Sequence, residues 1–210
     1  MTDVTICNRA LGWVGGNRIT NLDTTIDGSV EAQLCSDNYA AARDVVLEEG
    51  GWNFATKRYL LTPLTVKPPW GYSNQFLVPT NVIRVLRVND TPIDPDSGKG
   101  IPWRIEANED DSRVIMSDAE KLYIKTIIRI IDTTKFTPGM EQALSARLAM
   151  DLAIPIKRSV SLQETMATLY QQKLRIAMST ENMQGTSEKL TNNSLTLARF
   201  SNTTTLGPFV

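Results

Sequence analysis

The sequence predicts an α+β chain: a helical bundle formed by the N- and C-terminal helices, a central antiparallel β domain, and an extended C-terminal tail. Three observations carry this reading. Apolar residues recur at three- and four-residue spacing over residues 3–14 and 30–49 and again after Pro138. Seven of the ten prolines lie between Pro63 and Pro102, which excludes long helices there. The last twenty residues, TNNSLTLARFSNTTTLGPFV, carry one charge, Arg199, and no helical repeat of apolar positions. The expected organisation is a discontinuous bundle from 1–54 and 134–185, a β domain over 55–133, and a tail over 186–210.

The first helix is expected over 3–14, with Val4, Cys7, Leu11 and Val14 on one face and Gly15-Gly16 as its stop. A polar loop follows, and a second helix is expected over 30–49. Val30, Leu34, Ala41 and Val45 mark one apolar face; Cys35, Tyr39, Ala42 and Val46 mark another. Two such faces predict a helix packed on more than one side. Gly50-Gly51 ends it, and Trp52 and Phe54 follow as core anchors.

The middle region alternates strand-like runs with turns: KRYLLTPL, NQFLVP, VIRVLRV, WRIEA, SRVIMS and KLYIKTIIRII. In WRIEA, Trp103, Ile105 and Ala107 point one way and Arg104 and Glu106 the other, as in a half-buried strand. NEDD (108–111) is the turn of a hairpin. Helices resume at Pro138, which suits a first helical position after a Thr137 cap. Leu144, Leu148 and Leu152 form a stripe backed by Ala143, Ala146, Ala149 and Ala153, and Pro155 is expected to end it. Ser161 and Glu164 have capping-box spacing. The last helix carries Leu162, Met166, Leu169, Tyr170, Leu174, Ala177 and Met178 on its buried side.

Composition narrows the functional classes. The chain has no histidine, which removes histidine-based nucleophilic catalysis, histidine-ligated zinc and the usual pH switch. Its two cysteines, Cys7 and Cys35, fall among apolar helical residues and are read as reduced core thiols. A net charge of −1 argues against a protein that grips nucleic acid, though not against one that DNA slides past. The start lacks the basic and apolar regions of a signal peptide, and no run approaches the ~20 apolar residues of a membrane span.

Several constellations invite a chemical reading and fail it. In NDTPIDPDSGKG, Asp94 and Asp96 match the first calcium-loop ligands. Gly98, Lys99 and Ile105 then occupy the places of the third ligand, the glycine and the closing Glu. Glu48-Glu49 and Glu109-Asp110-Asp111 are read as solvated clusters; a tail-associated glycan hydrolase using paired carboxylates is the alternative function. The four tryptophans are not interleaved with basic residues, so core or interface packing accounts for them. No catalytic, cofactor-binding or metal-binding residue is assigned. The tail has too few apolar side chains to offset the entropy of ordering its backbone. It needs another surface: its own domain, a sister copy or a different protein.

The order of several stretches resembles the tail tubular protein A family, the head-to-tail adaptors of short-tailed bacteriophages. They are NRALGWVGG, a loop reaching NLD, GGWNFATK, FLVPTNVIRVLRV, WRIEANEDDSRVIMSD, KLYIKTIIRIIDTTKFTPGMEQALSARLAMDLAIPI and a helix ending LRIAMSTENMQG. Together they span roughly residues 1–185. The resemblance implies a virion protein, not an enzyme, made in the host cytoplasm and placed at the portal vertex of the tail. It implies a homo-oligomeric ring of twelve copies between the portal protein and a tail nozzle similar to tail tubular protein B. Double-stranded DNA would leave through the ring without specific binding, and no membrane is involved. On this reading the tail docks on the portal or a neighbouring subunit through Leu195, Leu197, Arg199, Phe200, Leu206 and Phe209. Leu195 and Leu197 alternate and suit strand addition; Phe200 and Phe209 suit pockets.

Overall fold

A computed structural model describes residues 2–92 and 101–184. The fold is α+β, with four α-helices and two small antiparallel sheets among the described residues. These residues divide into two compact units. The first comprises 2–60, 78–87 and 124–184; the second comprises 61–77, 88–92 and 101–123. The division therefore runs through strands near residues 87 and 123 rather than at 55 and 133.

In the first unit, α1 spans Asp3–Val14. The Thr2 hydroxyl caps it by accepting from the Thr5 N–H, and Gly15 ends it in the left-handed conformation at φ 71°. The Gly15 and Gly16 N–H groups both reach the Leu11 carbonyl. Asn8 then fixes the following loop: its amide donates to the Ile19 carbonyl at 2.9 Å and accepts from the Ile19 N–H at 2.8 Å. Helix α2, Val30–Glu49, starts at Ser29, whose hydroxyl accepts from the Ala32 N–H.

Only one of the two apolar faces expected of α2 is buried. Cys35, Tyr39, Ala42 and Val46 enter the core, joined by Ala32 and Leu47. Val30 and Ala41 are exposed, and Leu34 and Val45 are half-buried. The helix therefore lies against one surface of its unit and not between two. Cys7 and Cys35 are free thiols, both buried.

Helix α3 spans Pro138–Lys157 and α4 spans Val160–Asn182. The leucine stripe and the small residues behind it are buried as their spacing predicts. Gly139 permits close approach of these two helices; a Cβ there would lie 2.8 Å from that of Ala177. Pro155 does not end α3. The helix continues to Lys157 and stops at Arg158, left-handed at φ 52°, whose N–H reaches the Ile154 carbonyl. A proline this close to a helix end forfeits a single intrahelical bond, so the final turn closes beyond it. The cap of α4 is also displaced from expectation. Ser159, not Ser161, is extended and accepts from the Leu162 N–H, because the left-handed turn at Arg158 sets the entry two residues earlier.

Three strands, β1 (Thr56–Leu61), β3 (Val82–Asn89) and β6 (Leu122–Ile128), form a sheet in the order β1-β6-β3. Ile127 of β6 and Ala55 before β1 belong to the helical core, with Ile83 and Leu86 packed against it. Half of the expected β domain is thus built into the helical unit. The second unit holds β2 (Asn74–Leu77), β4 (Trp103–Ala107) and β5 (Arg113–Ser117), ordered β2-β5-β4 and antiparallel throughout. The central strand β5 buries Val114, Ile115, Met116 and Ser117 in succession, as a strand covered on both faces must. The NEDD hairpin joins β4 to β5. Asn108 organises it, its side-chain oxygen accepting from the Asp110 and Ser112 N–H groups, while Asp111 adopts φ 57°.

Candidate partner-binding surfaces

Leu195, Leu197, Arg199, Phe200, Leu206 and Phe209 lie outside the described residues, as do Asp94 and Asp96. What the structure defines is the place from which the C-terminal segment departs, the end of α4.

That end is clamped by the segment Gly50-Gly51-Trp52-Asn53. Helix α2 finishes with Glu48 and Glu49 and no basic residue in its last turn, an arrangement that opposes the helix dipole. Tertiary partners compensate. Arg84 of β3 donates to the Gly50 carbonyl at 3.0 Å, and the Trp52 indole N–H donates to the Val46 carbonyl at 2.8 Å. Trp52 is fully buried, with its ring folded under Gly50.

From this anchor the chain reaches across to α4. The Gly51 N–H approaches the Met178 sulfur at 3.1 Å. The Asn53 N–H donates to Glu181 Oε2 at 3.0 Å, and the Asn53 side chain donates to the Glu181 carbonyl at 2.8 Å. Glu181 is only 4% exposed. Two residues later Met183 is exposed, and so is Ile176, one heptad earlier on the same helical stripe. The last turn of α4 is therefore fixed from behind while its outer side remains open. No regular spacing in the sequence marks Glu181 or Asn53 for this pairing; 128 residues separate them.

The carboxylate clusters have structural surroundings. Glu49 accepts a 2.6 Å hydrogen bond from the Tyr170 hydroxyl. Burial, and then the bond to Glu49, push that hydroxyl well above its ordinary range. The Arg147 guanidinium lies 5.8 Å from the Tyr170 ring centre and 3.2 Å from Asp151. Burial pushes the Asp151 carboxyl upward, and Arg147 opposes that shift. Glu109, Asp110 and Asp111 are exposed in the β4–β5 turn of the other unit. Among the described residues, no three His, Cys, Asp or Glu side chains converge as a metal site would require.

The tryptophans separate into distinct environments. Trp52 is core, Trp13 and Trp103 are half-buried, and Trp70 is 85% exposed. Trp70 sits in the loop between β1 and β2, after Pro68-Pro69 and before Gly71. The flanking prolines and glycine are the sequence signal that sets it apart from the other three. No helix among the described residues is long and apolar enough to cross a membrane. No protein-family model matches the chain, and no curated protein matches it.

Proposed function

We propose that this chain is a head-to-tail adaptor of a short-tailed bacteriophage. In this reading twelve copies form a ring between portal and nozzle, and DNA is ejected through it. The observation that carries the reading is the ordered set of stretches from NRALGWVGG to LRIAMSTENMQG. The clamp on α4 supports it physically: a weakly charged C-terminal segment continues from a helix end held by Asn53 and Glu181. An anchored start lets such a segment dock on a partner without dislodging the body it leaves.

Each tail contributes modestly, and twelve act together once a ring is engaged. Residues 191–210 hold only Arg199 as a charge, so docking should depend weakly on salt. The decisive measurement is the mass of the purified chain, alone and with the cognate portal protein. A portal-bound dodecamer is expected, and its yield should be nearly constant from low to moderate ionic strength. A monomer in both samples would overturn the reading; steep loss of assembly with salt would overturn the docking chemistry.

A further inference from the structure

We propose that Cys7 and Cys35 are an oxidative modification site. They form a disulfide that fastens α1 to α2, made by exchange with a small-molecule disulfide such as oxidised glutathione. The proposal is independent of the adaptor reading, because it concerns only how two helices of the first unit are joined.

The chain holds two cysteines, and the fold places one against the other. Cys7 lies on the buried face of α1 with Ile6, Ala10 and Leu11; Cys35 lies on the buried face of α2 with Ala32 and Tyr39. Both side chains are fully buried in the same hydrophobic core. The Cys7 thiol donates a hydrogen bond to the Cys35 sulfur, so the two sulfurs meet in the reduced protein. A disulfide bond of about 2 Å is reached from such a contact by small side-chain movements. A metal site is disfavoured. Among the described residues no third Cys, Asp or Glu joins the pair, and structural zinc takes four ligands.

The pair supplies its own activation. The hydrogen bond from Cys7 favours the Cys35 thiolate and holds Cys35 below the ordinary thiol range, against the opposing effect of burial. The same bond, and then burial, push the Cys7 thiol up. Cys35 is therefore the attacking thiol and Cys7 the resolving one. The Cys35 thiolate attacks one sulfur of oxidised glutathione and expels a glutathione thiolate, leaving a mixed disulfide. Cys7 gives its proton to the expelled thiolate, and its sulfur displaces the second glutathione, which takes up the proton that left Cys35. Two protein thiols are oxidised to one disulfide, and one oxidised glutathione is reduced to two thiols. Because both cysteines are buried, exchange occurs when α1 opens locally, and the polar loop 15–29 lets α1 move without unfolding α2. The bond closes a loop of roughly 30 residues, which restricts the unfolded chain and so favours the folded one.

The test uses the full chain, purified under a thiol reductant and then transferred to oxidised glutathione. The expected product has lost two hydrogen atoms and carries no glutathione. Free thiols are then alkylated, and digestion with trypsin without reduction should release the peptides ending at Arg9 and Arg43 joined by a disulfide. The thermal midpoint should rise by about 5–10 °C over that of the reduced protein, and excess dithiothreitol should return it. Cys7→Ala should instead retain a glutathione on Cys35, and Cys35→Ala should retain far less on Cys7. The oxidised and reduced parent are compared directly, so the result does not depend on either variant folding. Thiols that stay reduced in the folded chain, under conditions that oxidise the urea-unfolded chain, overturn the proposal. So do disulfides between chains, glutathione retained on the parent, or an oxidised form that melts at or below the reduced one.

Discussion

At the residue scale, Gly50 shows how a local signal acquires a tertiary reason. A glycine pair after a helix suggests a left-handed cap, yet Gly50 is extended at φ −89° and ψ 157°. Its lack of a side chain matters because a Cβ would lie 2.2 Å from the Trp52 indole nitrogen. That ring is buried and holds the Val46 carbonyl, so it has nowhere to retreat. Gly50→Ala should therefore destabilise by about 1–3 kcal/mol, as overpacked cores do. Gly51→Ala, with nothing within 4 Å of its Cβ, should cost far less. Chemical denaturation of the two variants side by side checks this, and equal losses would refute it. Tyr39 offers the opposite case. Its hydroxyl is buried without a hydrogen-bond partner among the described residues, and burial raises its pKa. Removing an unsatisfied polar group relieves a desolvation cost of about 1–3 kcal/mol. Tyr39→Phe should thus be neutral or stabilising, and a clear drop in thermal midpoint would show that the hydroxyl has a partner.

At the element scale, most helices and strands were legible because periodicity is a local property. The 3.6-residue repeat of α3 and the alternation in β4 depend only on which face meets a core. The helix boundaries were less legible. Pro155 was expected to stop α3, but a single lost bond near a terminus is tolerated. The S-x-x-E spacing at Ser161 and Glu164 pointed to a cap that the left-handed Arg158 moves to Ser159. These two caps make different predictions. Ser159→Ala should cost about 1 kcal/mol and expose the first turn of α4 to amide exchange. Ser161→Ala, inside the helix, should be neutral or slightly stabilising. The reverse order would restore the capping box. For α2 the sequence offered two apolar faces with no means of ranking them. Burial of Cys35, Tyr39, Ala42 and Val46 was decided by where α1 and α3 lie.

At the scale of the whole molecule, the first unit joins segments separated by up to 128 residues, and its loops are fastened by carboxylates. Asp27 accepts from the Thr20 N–H at 2.6 Å, Asp23 from Thr25, Glu31 from Asn17 and Asp132 from Thr134. Hydrogen bonds to the charged form hold all four carboxyls below their ordinary range. Their contribution is therefore complete above the unfolded values near pH 4 and is lost as pH falls through the lower folded ones. The thermal midpoint should be flat from about pH 7 to 5 and decline below about pH 4, with Asp27→Asn showing a shallower decline. A midpoint unchanged to pH 2 would contradict this account. The sequence by itself determined the α+β class, the element order, the leucine stripe of α3, the NEDD hairpin and the weak charge of the last twenty residues. All of these depend on composition or spacing within one turn or one strand. Only the tertiary structure decided that the β1-β6-β3 sheet joins the helices and that Arg84, Asn53 and Glu181 secure two helix ends. Each of those outcomes depends on a partner distant in sequence, and a residue's own neighbours carry no record of it.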